Sequence, residues 1–194
     1  MRRVLLSGAA ALLTIPAIVH AYSVRSSANT VRGKLTVACV KSGKSKGDGQ
    51  YRYVLNGKPI RALTSDCAPG MAETHIAIEQ VFASKDSTTV VVFEGFNSYS
   101  DFEKVLYIPK TGPASYIDGI IMADDPRVTR KSPTAFHVVV PTGGYAIDMN
   151  HMSHWFCQID VDFGTGRATA KIATPHEKGI PADVCKTKVE KAPI

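Results

Sequence analysis

The sequence predicts an all-β protein, a single-domain antiparallel β-sandwich or barrel of about nine or ten strands stabilised by disulfides. Three observations carry this. Short alternating apolar runs recur between turn signals along the chain, no stretch reads as alternating β and α units, and four cysteines follow an export signal.

The signal comes first. Residues 1–21 hold Arg2 and Arg3, an almost uncharged apolar run over 4–19, and then Val19-His20-Ala21, with small or aliphatic residues where a signal peptidase reads them. Export and cleavage before Tyr22 are expected, to a secreted or periplasmic location. A retained anchor fits less well, because Pro16 interrupts the run and the run stays short of about 20 residues. The mature chain accordingly has no expected transmembrane segment. The paired arginines are only a thin twin-arginine match. Cleavage takes 21 of the 194 residues and leaves 173, enough for one domain with a sizeable core. Arg2 and Arg3 are two of the 23 basic residues, so the mature balance is 21 basic against 17 acidic, or +4. That mild excess permits an acidic partner without requiring one.

Cys39, Cys67, Cys157 and Cys185 all lie in the mature part, and an even count in an exported chain favours disulfides over metal ligation or thiol catalysis. Pairing Cys39 with Cys67 and Cys157 with Cys185 is preferred because each closes a local loop, both with a spacing of 28. The rest of the two loops shares no identity, so the equal spacing is no sign of duplication.

Residues 22–33 are polar and unpatterned, which predicts a flexible leader. The first strand is predicted over 34–40, followed by a flexible basic loop over 41–50, KSGKSKGDGQ. Residues 38–45 also fit a permissive P-loop pattern ending in Gly43-Lys44-Ser45. Phosphate cradling needs that loop to open a helix, and Lys46-Gly47-Asp48-Gly49 does not start one. No nucleotide is expected.

Predicted strands over 51–55 and 59–63 flank Asn56-Gly57, a strong hairpin turn signal. A two-residue turn would set Arg52 opposite Arg61, an unfavourable pairing on a sheet, so either the loop is longer or both face solvent near an anion. Lys41, Lys44, Lys46, Arg52, Lys58 and Arg61 oppose the single acid Asp48 over 41–61. A solvated face is the plain reading of these bases; a docking patch for an anionic surface or polymer is the functional one.

After a Cys/Pro/Gly turn region at 65–73, strands are predicted over 74–83 and 88–96, the second carrying Val90-Val91-Val92. Ser100-Asp101-Phe102-Glu103 has capping-box spacing, but Phe102, Lys104, Leu106 and Ile108 alternate up to Pro109 and favour a strand. Runs over 116–122, 135–140 and 145–149 continue the pattern, the last two separated by Pro141-Thr142-Gly143-Gly144.

The clearest element is a hairpin over 153–173. Cys157, Ile159, Val161 and Phe163 alternate with Gln158, Asp160 and Asp162, and Ala168, Ala170 and Ile172 alternate with Arg167, Thr169 and Lys171. A type II′ turn at Gly164-Thr165 would put Asp162 opposite Arg167 and Cys157 opposite Ile172, which sorts both faces at once. The β domain is thus expected over 34–175, with 176–194 a polar, lysine-rich tail tied by Cys185.

Three places could carry chemistry. Met149, His151, Met152 and His154 cluster thioether and imidazole groups, the ligand types that hold copper in oxidising compartments. On a regular strand the histidines would diverge, and the plain reading is a turn whose methionines pack on the core. Asp160 and Asp162 stand about 7 Å apart on a strand, a spacing compatible with an inverting glycosidase, although Arg167 offers Asp162 an ordinary partner. A hydrolytic set built on His75, His137 or His154 lacks any nucleophile motif. The favoured expectation is an exported, disulfide-bonded binding module whose partner the sequence does not name, with an anionic surface or polymer as one candidate. The alternatives are a small secreted hydrolase with an unidentified site or a periplasmic copper-binding protein.

Overall fold

A computed structural model describes residues 25–42, 48–68, 75–95, 101–122, 127–148, 151–173 and 185–194; for 101–103, 118–122, 141–148 and 151–155 it describes the backbone alone. The predicted signal peptide, together with Tyr22 to Val24, lies outside these residues.

The described chain is all strand, arranged in three antiparallel sheets. β1 (Arg25–Thr30), β2 (Gly33–Lys41), β3 (Gly49–Leu55) and β4 (Lys58–Cys67) form the first, in sequence order. β5 (His75–Ala83), β6 (Ser87–Gly95), β7 (Asp101–Pro109) and β8 (Ala114–Met122) form the second. β9 (Arg127–Arg130), β10 (Ala135–Asp148), β11 (His151–Asp162) and β12 (Arg167–Ile172) form the third. The C-terminal β13 (Glu190–Ala192) returns to pair with β8 at the edge of the second sheet. Each sheet keeps two edge strands, so none closes into a barrel.

The second sheet is covered on both faces. Val90, Val92, Leu106, Ile108 and Tyr116 join Leu35, Val37, Tyr51, Tyr53 and Leu63 of the first sheet in one core. Val91, Val105 and Ile117, of opposite parity, join Phe136, Val138, Ile159 and Val161 of the third sheet in another. Val90, Val91 and Val92 are all fully buried, which an unbroken apolar triplet tolerates and an alternating strand would not. Fully burying such a side chain stabilises by about 1.5–3 kcal/mol. Disulfides tie each outer sheet: Cys39 of β2 to Cys67 of β4, and Cys157 of β11 to Cys185 ahead of β13.

The all-β reading therefore holds, with thirteen strands among the described residues where about nine or ten were expected. Part of the difference lies in the predicted leader and tail. Residues expected to be loose form β1, because Ser26 Oγ accepts a hydrogen bond from Ile78 N (3.0 Å) and Thr88 Oγ1 one from Val31 N (2.8 Å). The predicted tail supplies β13 by pairing with β8. Conversely, Pro141-Thr142-Gly143-Gly144 does not end a strand. β10 runs through it and absorbs one extra residue in a bulge between Thr142 and Tyr145.

Two turns show how the local chemistry works. At Asn56-Gly57 both residues take positive φ (48° and 84°), as a two-residue type I′ turn requires. Arg52 nevertheless does not face Arg61. The register runs Leu55 to Lys58 and Val54 to Pro59, then shifts so that Arg52 pairs with Thr64. A bulge in β4 thus removes the like-charge pairing while the short turn remains.

The β11–β12 register matches the sequence pattern at every pair, from Cys157 opposite Ile172 to Asp162 opposite Arg167. Its turn is different. Gly164 does not take positive φ, whereas Gly166 does (68°), so the connection is a four-residue loop and not the type II′ turn expected. The cause is Asp162, whose Oδ1 accepts a hydrogen bond from Gly164 N (2.9 Å) and sets the loop as an Asx turn.

Candidate functional site

The outer face of the first sheet carries a row of cations beside a shallow groove. Register places Arg25, Ala38, Arg52 and Thr64 in one row across β1 to β4. Arg25 and Arg52 are separated by two strand spacings, about 10 Å, with Ala38 between them. Lys34 lies four residues further along β2, about 13 Å from Ala38. These cations border a groove of about 720 Å³ whose floor includes Thr36, Ala38, Val40 and Val54. Alternation explains the floor: Leu35, Val37, Cys39, Tyr51, Tyr53 and Leu55 go inward, so the intervening residues of β2 and β3 line the outside. Arg52 also lines an adjoining cleft of about 280 Å³ with Arg61 and Pro59, created where the β4 bulge lifts the chain.

Of the bases singled out by sequence, the fold brings Arg52 and Arg61 together. Lys41 and Lys58 are exposed at the ends of β2 and β4 and line neither depression. Lys44 and Lys46 lie outside the described residues; Ser42 N donates to the Asp48 carbonyl (3.0 Å) at the base of their loop. Arg25 and Lys34 were missed, Arg25 because it falls in a stretch with no visible pattern and joins Arg52 only through the register of three strands. Among the described residues no acid forms an ion pair with Lys34, Arg52 or Arg61. Asp66 is the acid on the same face, in the row Val40, Gln50, Asp66.

Between the first and second sheets sits a buried polar cluster the sequence did not announce. Lys104 Nζ lies 2.7 Å from Glu94 Oε2, with side-chain exposures of 2% and 1%. Tyr53 and Ser65 hydroxyls donate to the two Glu94 oxygens, and Lys104 donates to Ser65 Oγ at 3.0 Å. The hydrogen bonds and the ion pair of this cluster join β3 and β4 of the first sheet to β6 and β7 of the second.

The remaining candidates are placed as follows. His137 Nδ1 lies 2.7 Å from Asp160 Oδ1, and register puts Thr129 and Thr169 beside this pair. Among the described residues no hydroxyl bonds the His137 ring. Asp162 turns to its own loop instead of to Arg167. Burial pushes its carboxyl up, but hydrogen bonds from Thr134, Gly164 and Thr165 outweigh that and hold it below its ordinary value. Asp160 and Asp162 are therefore each engaged locally. The His75 ring packs on Phe93 at 4.9 Å between centroids and lies over Gly95, where an added Cβ would clash with the ring.

Of the methionine and histidine cluster, Met149 lies outside the described residues, and His151, Met152 and His154 belong to β11. The register shifts there add residues to β10, not β11, so positions 151 and 154 fall on opposite faces of the strand. Among the described residues no helix is long and apolar enough to cross a membrane. No protein-family model, curated protein or solved structure matches this chain.

Proposed function

We propose that this is an exported, disulfide-stabilised β module that binds an anionic partner on the outer face of its first sheet. One observation carries the reading: Arg25 and Arg52 stand in a single row beside a groove that Lys34 also borders, and Arg61 continues the positive face across the next cleft. A solvated basic surface needs no such concavity. Guanidinium groups suit the role because they hold carboxylate, sulfate or phosphate through paired hydrogen bonds. Export is consistent with the two disulfides, which persist in oxidising compartments.

Retention on immobilised heparin, measured against salt concentration, tests this. The wild-type protein should be retained at low salt and released as salt rises. The double variant Lys34→Glu, Arg52→Glu should bind at least about tenfold more weakly, the loss expected for one or two charge-assisted hydrogen bonds. Equal retention of wild type and variant would refute the proposed face.

A further inference from the structure

We infer that the groove receives a linear acidic polysaccharide, with Arg52 and Lys34 taking its carboxylate or sulfate groups and Ala38 and Val54 receiving an apolar sugar-ring face. The inference rests on the anion-binding reading of the same sheet and narrows its ligand. Three observations select a glycan.

The first is the composition of the groove. Its floor is small and aliphatic, with Ala38, Val40 and Val54 half-buried, and its cations rise from separate backbone positions, those of Arg25 and Arg52 two strand spacings, about 10 Å, apart. Sugar rings present apolar C–H faces between separated anionic substituents, so floor and rim both find a match. The second is the absence of aromatic lining. Single-stranded nucleic acids bind through bases stacked on aromatic side chains. The aromatics of β3, Tyr51 and Tyr53, are each 1% exposed and face the core, and no aromatic lines the groove among the described residues. The third is shape. A bilayer surface is broad, and it would meet the basic rims without reaching the recessed floor between them.

The experiment compares four probes on the full oxidised protein: polygalacturonate, heparin, polyglutamate and phosphatidylglycerol vesicles. It uses three variants. Ala38→Trp fills the groove without changing charge. Arg52→Lys keeps the charge but loses the paired hydrogen bonds of a guanidinium. Lys34→Glu, Arg52→Glu reverses the charge. The inference expects at least one polysaccharide to bind more tightly than polyglutamate or vesicles. Its affinity should fall at least about tenfold in Ala38→Trp and in Arg52→Lys, with retention on a plain cation-exchange resin unchanged. Should Ala38→Trp fail to fold by circular dichroism, the exposed Arg52→Lys substitution decides alone.

Polyglutamate or vesicles binding as tightly as either polysaccharide, or polysaccharide affinity indifferent to Arg52→Lys, would overturn the glycan inference and leave the anionic face standing. No retention of the wild type on any probe, or full retention by the charge-reversed variant, would overturn both.

Discussion

Lys104 and Glu94 illustrate what a single residue contributes. Lys104 shares its strand face with Leu106 and Ile108, and Glu94 shares its own with Val90 and Val92, so alternation alone drives both charges into the core. A charge there is tolerated only with a partner, and register makes the two diagonal neighbours, since Val92 faces Lys104 and Glu94 faces Phe102. Tyr53 and Ser65 then satisfy the remaining carboxylate capacity from the first sheet, which locks the two sheets in one relative position. Replacing Lys104 by Met leaves the Glu94 carboxylate buried without its countercharge. Urea unfolding should show a loss of about 3–5 kcal/mol. A loss below about 1 kcal/mol would mean that the pair has no such role. The lysine's parity was legible in the sequence, but its partner was not, because the pairing depends on a register that only the folded sheet displays.

At the scale of the element, the β11–β12 hairpin separates two kinds of information. Its register followed from alternation, because one slip would put Cys157, Ile159 and Val161 in solvent. Its loop depended on one carboxylate: Asp162 captures Gly164 N, and the positive φ moves to Gly166. The same carboxylate makes the hairpin pH-dependent. Its folded pKa lies below the ordinary value of 3.8, so the stabilisation is complete above 3.8 and is lost as pH falls through the folded value. Wild type should therefore exceed Asp162→Asn in stability at pH 6, and the difference should shrink as the pH is lowered below 3.8. A difference that stays constant from pH 6 down to pH 2.5 would contradict this assignment. The β3–β4 hairpin carries the reverse lesson. Asn56-Gly57 was readable as a turn, yet Arg52 reached its groove position through a bulge, a long-range adjustment that relieves its conflict with Arg61.

Across the whole molecule, the second sheet is a central slab whose two faces anchor the outer sheets, and each outer sheet carries one disulfide. The Cys157–Cys185 bridge fastens the third sheet to the segment that leads into β13 of the second. Its closed loop spans 28 residues, for which chain entropy gives a stabilisation of about 3.5 kcal/mol. The double variant Cys157→Ala, Cys185→Ala should lower the thermal midpoint by roughly 10 °C, as measured by calorimetry. A change under about 3 °C would show that β13 and the core hold the tail unaided.

What the sequence by itself determined is local: the all-β class, the hairpin register and the Asn56-Gly57 turn, with a preference, but no more, for the two short-range cysteine pairs. Each depends on a side-chain period of two, a turn residue's φ or a short loop, and these properties are written within a few residues of chain. The tertiary structure alone decided which faces stack, why Val90-Val91-Val92 needs cover on both sides, and how residues from β1 and the predicted leader come to stand beside Arg52. Sheet stacking and the row Arg25, Ala38, Arg52 join residues that the chain sequence separates by a strand or more. Alternation says which face a residue takes but not which surface meets that face, so the groove and the buried pair appeared only once the sheets were assembled.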